Sequence, residues 1–146
     1  MFSNKAYSTV ALAMLLMSCK KEKIEYELMP VIEFISITPD PVTEFQPLTI
    51  TFKYTDGDGD LGENGPNVKN LFITDNRIAV TYSYRISQLS PDDAKIPIQG
   101  TLETKIDNAV INGTAVEQTV TYSIYIVDRA GHKSNVISTP PVMIRK

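Results

Sequence analysis

The sequence predicts an all-β domain, a sandwich of about seven or eight short strands. Three observations point there. Apolar residues alternate with polar ones at a period of two. Clusters of Gly, Pro, Asn and Asp interrupt that alternation at regular spacing. No segment beyond residue 18 repeats at the 3.6-residue period of a helix.

The first run, Val31 to Thr38, is closed by Pro39-Asp40-Pro41. In the second, Leu48, Ile50, Phe52 and Tyr54 are separated by Thr49, Thr51 and Lys53, which places the apolar set on one face. A Gly- and Asp-rich loop follows, from Asp56 to Asn67. Leu71-Phe72-Ile73 and the run Ile78, Val80, Tyr82, Tyr84, Ile86 read as strands joined by a tight turn at Asp75-Asn76. Ser90-Pro91-Asp92-Asp93 is a further break. Asn112-Gly113 is the pair that a two-residue primed hairpin turn requires, and that turn explains Asn112-Gly113-Thr114 better than glycosylation does. The last long run alternates from Val116 through Gln118, Val120, Tyr122 and Ile124 to Ile126. β-Branched and aromatic residues dominate these runs, as a half-buried pleated surface favours.

The N-terminus carries a different signal. Lys5 precedes a short apolar run, Val10 to Met17, and Cys19 is the only cysteine. Leu16-Met17-Ser18-Cys19 resembles a bacterial lipobox. The resemblance implies cleavage before Cys19 and a covalent lipid on its sulfur. The run is too short to span a bilayer, which takes about 20 apolar residues. A plain secretory signal wants a small residue three positions before the cut, where Leu16 stands, and Lys20-Lys21-Glu22-Lys23 ends the pattern too abruptly for a core helix. The expected organisation is a signal peptide at 1–18, a lipidated Cys and tether at 19–30, and one domain at 31–146. A lone cysteine excludes an intramolecular disulfide. Acyl chains contribute about 0.8 kcal/mol per buried CH₂, so two or more hold the chain to a membrane. Inner-membrane retention signals want Asp after the cysteine; Lys20 stands there, so the outer membrane is expected, facing either the periplasm or the cell surface.

Without residues 1–18, 128 residues remain, with 13 basic and 17 acidic side chains and a net charge of −4. A mildly acidic module has no electrostatic reason to bind nucleic acid.

The segment Tyr122-Ser-Ile124-Tyr-Ile126-Val-Asp128-Arg-Ala-Gly131-His-Lys-Ser134-Asn resembles the last hairpin of immunoglobulin-like and fibronectin-III-like domains. With the lipobox and the FKYTDGDGDLG segment, the layout is similar to small immunoglobulin-like lipoproteins of the Bacteroidota type. The resemblance implies an immunoglobulin-like sandwich at the cell envelope and assigns no activity. Tyr122 is then either a tyrosine-corner residue, its hydroxyl bonded to upstream backbone, or a core aromatic.

One constellation carries chemistry: Asp56-Gly-Asp58-Gly-Asp60-Leu-Gly62-Glu63-Asn64. Three carboxylates at spacing two project to one side of an extended segment, roughly 6–7 Å apart. A divalent cation turns their repulsion into coordination. Hard oxygen donors with no His or Cys nearby favour Ca²⁺ over zinc. The segment resembles the start of an EF-hand loop but departs from it, with Leu61 at the sharp-turn Gly position and Asn67 at the bidentate Glu position. Asp56, Asp58 and Asp60 are the expected ligands; Glu63, Asn64, Asp75 or Asp128 complete the shell if the fold brings them close. The alternative is a solvated acidic turn.

Catalysis has little to stand on. His132 is the only histidine and lies in an expected exposed turn, and no G-x-S-x-G, Walker A or dinucleotide loop is present. The expected role is a non-enzymatic binding or assembly module with a protein or glycan partner, although the chain has no Trp for glycan stacking. The alternatives are an envelope spacer and a cation-assisted hydrolase. The last requires a concave pocket beside Asp56–Asp60.

Overall fold

The computed structural model describes residues 27–146. The expected signal peptide, the lipobox and Cys19 with most of its tether lie outside the described residues. Among the described residues there are ten strands and no helix. They are β1 (Val31–Thr38), β2 (Val42–Thr43), β3 (Leu48–Asp56), β4 (Leu71–Asp75), β5 (Val80–Tyr84), β6 (Ile98–Ile106), β7 (Glu117–Val120), β8 (Tyr122–Ile126), β9 (Ile137–Ser138) and β10 (Val142–Arg145).

They form three sheets, in the orders β1-β3-β6, β5-β4-β8-β9 and β2-β10-β7. All pairings are antiparallel except that of β2 with β10. One apolar cluster draws on all three, with Ile32, Ile50 and Phe52 from the first, Ile73, Ile124 and Ile126 from the second, and Val42, Val120 and Ile144 from the third. That arrangement is consistent with a β-sandwich. The alternation of β3 is borne out residue by residue, Leu48, Ile50, Phe52 and Tyr54 all being buried. β1 keeps its inward face only by a bulge between Phe34 and Ser36, which leaves Ile35 outside. Its edge is capped at Ile32 by Asn135, whose Oδ1 accepts from the Ile32 N–H at 2.8 Å and whose Nδ2 donates to the Ile32 carbonyl at 2.9 Å.

Three expectations change. The run from Val116 to Ile126 is two strands, β7 and β8, which join different sheets across Thr121. Val116 is exposed, whereas Tyr122 is buried as a core aromatic. Burial, reinforced by the charge of Asp75, pushes the Tyr122 phenol up to about 12. Asn112-Gly113 makes no hairpin: it sits in the loop from β6 to β7, which lie in different sheets. Ile78 belongs to the β4–β5 turn rather than to β5, with Ala79 at φ 54°.

That turn is held by Arg77. Its Nη2 donates to Asp75 Oδ2 at 2.6 Å and its Nε to Asp75 Oδ1 at 3.1 Å, while Nη1 reaches the Val110 carbonyl and Gln118. The Asp75 and Arg77 side chains are 1% and 12% exposed. Removing one partner of such a pair strands a buried charge. Arg77→Ala is expected to destabilise the domain by about 3–5 kcal/mol in urea denaturation. A loss below about 1 kcal/mol, the value of an exposed pair, refutes the buried-pair account.

Candidate metal centre

β3 ends at Asp56, and the chain then folds under the segment that precedes β6. Gly59 and Gly62 have φ of 73° and 85°, a region that L side chains rarely adopt. A Cβ on Gly59 would meet the Ile96 carbonyl oxygen, and one on Gly62 the Ser87 carbonyl oxygen. Between them Leu61 is fully buried, and its carbonyl accepts from the Leu89 N–H. The Ser90 hydroxyl donates to the Gly59 carbonyl. The glycines therefore serve close backbone approach, and Leu61 anchors the loop in the core.

The second contribution comes from the turn after β8. Gly131, at φ 89°, closes it, and Asp128 Oδ1 accepts from the His132 N–H at 2.7 Å. His132 Nδ1 lies 3.0 Å from Asp128 Oδ2. His132 is thus a partly buried partner of Asp128 rather than a bystander on the surface. This turn locks onto the acidic loop. The Ala130 N–H donates to Asp60 Oδ2 at 2.9 Å, the Arg129 N–H to the Asp60 carbonyl at 3.3 Å, and Arg129 Nη1 to the Gly62 carbonyl at 3.0 Å.

The result is a convergence of four carboxylates. Asp56, Asp58, Asp60 and Asp128 each place an oxygen within 4.8 Å of the others. Asp56 is 1% exposed; its Oδ2 accepts from the Leu61 N–H at 2.8 Å. Oδ1 of Asp56, Asp58 and Asp60 is buried in each case and has no hydrogen-bond partner among the described residues, and Arg129 Nη2 is likewise buried and unpaired among them. Two carboxylates this close repel by about 3 kcal/mol at an effective dielectric of about 20. Burial, with Asp58, Asp60 and Asp128 adding repulsion, pushes the Asp56 carboxyl up to about 6 against the pull of the Leu61 N–H. Asp60 is raised by burial and by Asp128 and Asp58, and lowered less by Ala130 and Arg129.

These donors fit a hard divalent cation. All are carboxylate oxygens, the three orphaned ones need a positive partner, and Ca²⁺ takes six to eight oxygens at flexible geometry. His132 stands outside the cluster and holds the Asp128 carboxylate in place through its ring and its N–H.

Of the four residues that were to complete the shell, the fold brings in Asp128 alone. Asp75 lies at the far end of β4, bound to Arg77. Asn64 is turned toward Gln88, and Glu63 follows Gly62 away from the cluster and bonds its N–H to the Ile86 carbonyl. Sequence reasoning missed Arg129, whose only signal was its place beside Asp128. A cavity of about 440 Å³ adjoins the cluster, lined by Leu28, Asp58, Asp60, Lys95 and Arg129 among others.

A pH dependence follows from Asp56. In the ion-free folded chain its carboxyl keeps the proton to about pH 6, whereas the unfolded chain releases it near the usual 3.8. Between those values the folded state binds more protons, so stability falls as pH rises from about 4 to about 6. Denaturation midpoints measured in chelator should decline across that window, and Asp56→Asn should flatten the decline. Equal slopes in the two proteins refute the assignment. Comparison of the chain with protein-family models, curated proteins and solved structures finds no match.

Proposed function

We propose that this chain is a lipid-anchored module of the cell envelope, immunoglobulin-like in fold and non-catalytic, whose tether-side end is organised by Ca²⁺. The immunoglobulin-like assignment is supported by strand order: a β1-β3-β6 sheet, a β5-β4-β8-β9 sheet, and a short β2 that crosses over to pair in parallel with β10. The anchor rests on Leu16-Met17-Ser18-Cys19, and the outer membrane on Lys20. The acidic balance argues against nucleic acid, and a protein or glycan partner is the expected ligand.

One observation carries the ion. Carboxylates from the ends of two different sheets meet around three buried oxygens that have no partner among the described residues. A solvated acidic turn has no need to bury them. A bound Ca²⁺ joins the β3 end to the β8 end and so ties one sheet to the other.

A cation-assisted hydrolase is the second reading, favoured by the cavity beside Asp58 and Asp60. Among the described residues its wall holds the carboxylates Asp58, Asp60 and Asp92 with Lys95 and Arg129, and no Ser, Cys or His. A binding role asks less of these residues. Hydrolysis of a chromogenic ester or phosphate substrate that is lost in Asp58→Ala would reverse that preference.

About 2 mM Ca²⁺ acting on a site of ~10⁻⁴–10⁻³ M affinity adds roughly 0.6–1.8 kcal/mol by mass action, a rise of about 2–8 °C in Tm over chelator. Asp58→Ala should abolish the rise. A shift within about 1 °C in the parent chain refutes the ion site at this affinity.

A further inference from the structure

We infer that the ion-binding end of the domain docks, with Ca²⁺ bound, onto the phosphate headgroups of the membrane that holds the chain. The inference deepens the reading above and rests on its Ca²⁺ site and its anchor.

Three independent features meet at this end. The first is chain entry. Val31 pairs with Thr55, next to Asp56, and Leu28 lines the same cavity as Asp58 and Asp60. The undescribed residues 1–26 therefore join the domain beside the acidic cluster. Only eleven positions separate Cys19 from Pro30, a reach of at most about 40 Å when fully extended. A lipidated Cys19 thus joins the domain at this end rather than the opposite one.

The second is an apolar rim. Leu28, Met29 and Ile96 are 59%, 52% and 55% exposed. Ile96 lies with its carbonyl against Gly59 of the acidic loop, and exposed Leu89 is hydrogen-bonded to Leu61 of the same loop. Exposed Leu, Met and Ile gathered at one end mark a contact surface, and a lipid interface accepts such side chains at shallow depth.

The third is the incomplete shell. One carboxylate oxygen from each of Asp56, Asp58, Asp60 and Asp128 makes four ligands, where Ca²⁺ takes six to eight. The remaining positions take further oxygens, and a phosphate is one source of them. The cavity beside the cluster gives access, and Lys95 and Arg129 in its wall suit a phosphate. Without the ion, Asp58, Asp60 and Asp92 in the same wall repel a phosphate surface. The ion offsets most of that local repulsion and leaves Lys95 and Arg129 to meet the phosphate, so docking is Ca²⁺-dependent.

The chain contains no tryptophan, so Ile96→Trp supplies a single fluorescent reporter. The lipidated full chain is placed on phosphatidylethanolamine–phosphatidylglycerol vesicles whose acyl chains carry bromine as quencher. Added Ca²⁺ should blue-shift and quench the Trp emission, chelator should restore it, and Asp58→Ala should abolish the response. Phe45→Trp, in the β2–β3 loop at the opposite end, should stay unquenched. Because coupling is reciprocal, a larger phosphatidylglycerol fraction should lower the Ca²⁺ midpoint several-fold. If Tm rises with Ca²⁺ but Ile96→Trp emission is the same in Ca²⁺ and chelator, docking is overturned and the ion site stands. If Tm does not move, the ion site falls and docking falls with it. If the full chain leaves the vesicles in chelator, the anchor falls, and docking onto the membrane that holds the chain falls with it.

Discussion

The hydrogen bond from the Ala130 N–H to Asp60, backed by Arg129 on the Asp60 and Gly62 carbonyls, fixes the turn after β8 against the loop after β3. The rest of the site depends on that interlock. Without it, Asp128 would have no reason to lie near Asp56, since one follows a strand of the four-stranded sheet and the other ends a strand of the first. The interlock holds together groups that repel one another. Its cost is visible in Asp56, whose carboxyl clings to its proton well above the normal range. Backbone donors and Arg129 offset part of the repulsion, and a bound divalent cation would remove most of the remainder.

Much of the fold was legible because burial on one face of a strand writes itself as alternation. β3 and β8 are readable to the residue, since every second side chain enters the core. The same rule misleads at Thr121. Alternation from Val116 to Ile126 is unbroken in sequence, yet the chain leaves one sheet and enters another there, and periodicity carries no record of which sheet a strand joins. Asn112-Gly113 fails for a related reason. Its turn chemistry is local, while the choice between a hairpin and a crossover is made by the distant partners of β6 and β7.

The site was legible in part. Asp56, Asp58 and Asp60 stand out by spacing, but the geometry expected of them, an extended segment projecting to one side, is not the one found. Asp56 belongs to β3 and the other two to a loop folded by Gly59 and Gly62. Leu61 explains why the EF-hand comparison ends where it does: an apolar side chain sunk in the core carries the chain inward, so Glu63 and Asn64 emerge elsewhere. Asp128 lies 68 positions beyond Asp60 in the sequence, and no local pattern announces that the two will meet.

The Asn135 side chain has a consequence for how copies of the domain meet. An amide that occupies both the N–H and the C=O of Ile32 imitates a neighbouring strand, and so takes the place that a foreign strand would need. Were the chain held on a surface, as proposed above, its copies would meet far more often than in solution, and β1 is an edge at which they could pair. The clamp covers that edge at Ile32, so a second copy would have to displace Asn135 before adding a strand there.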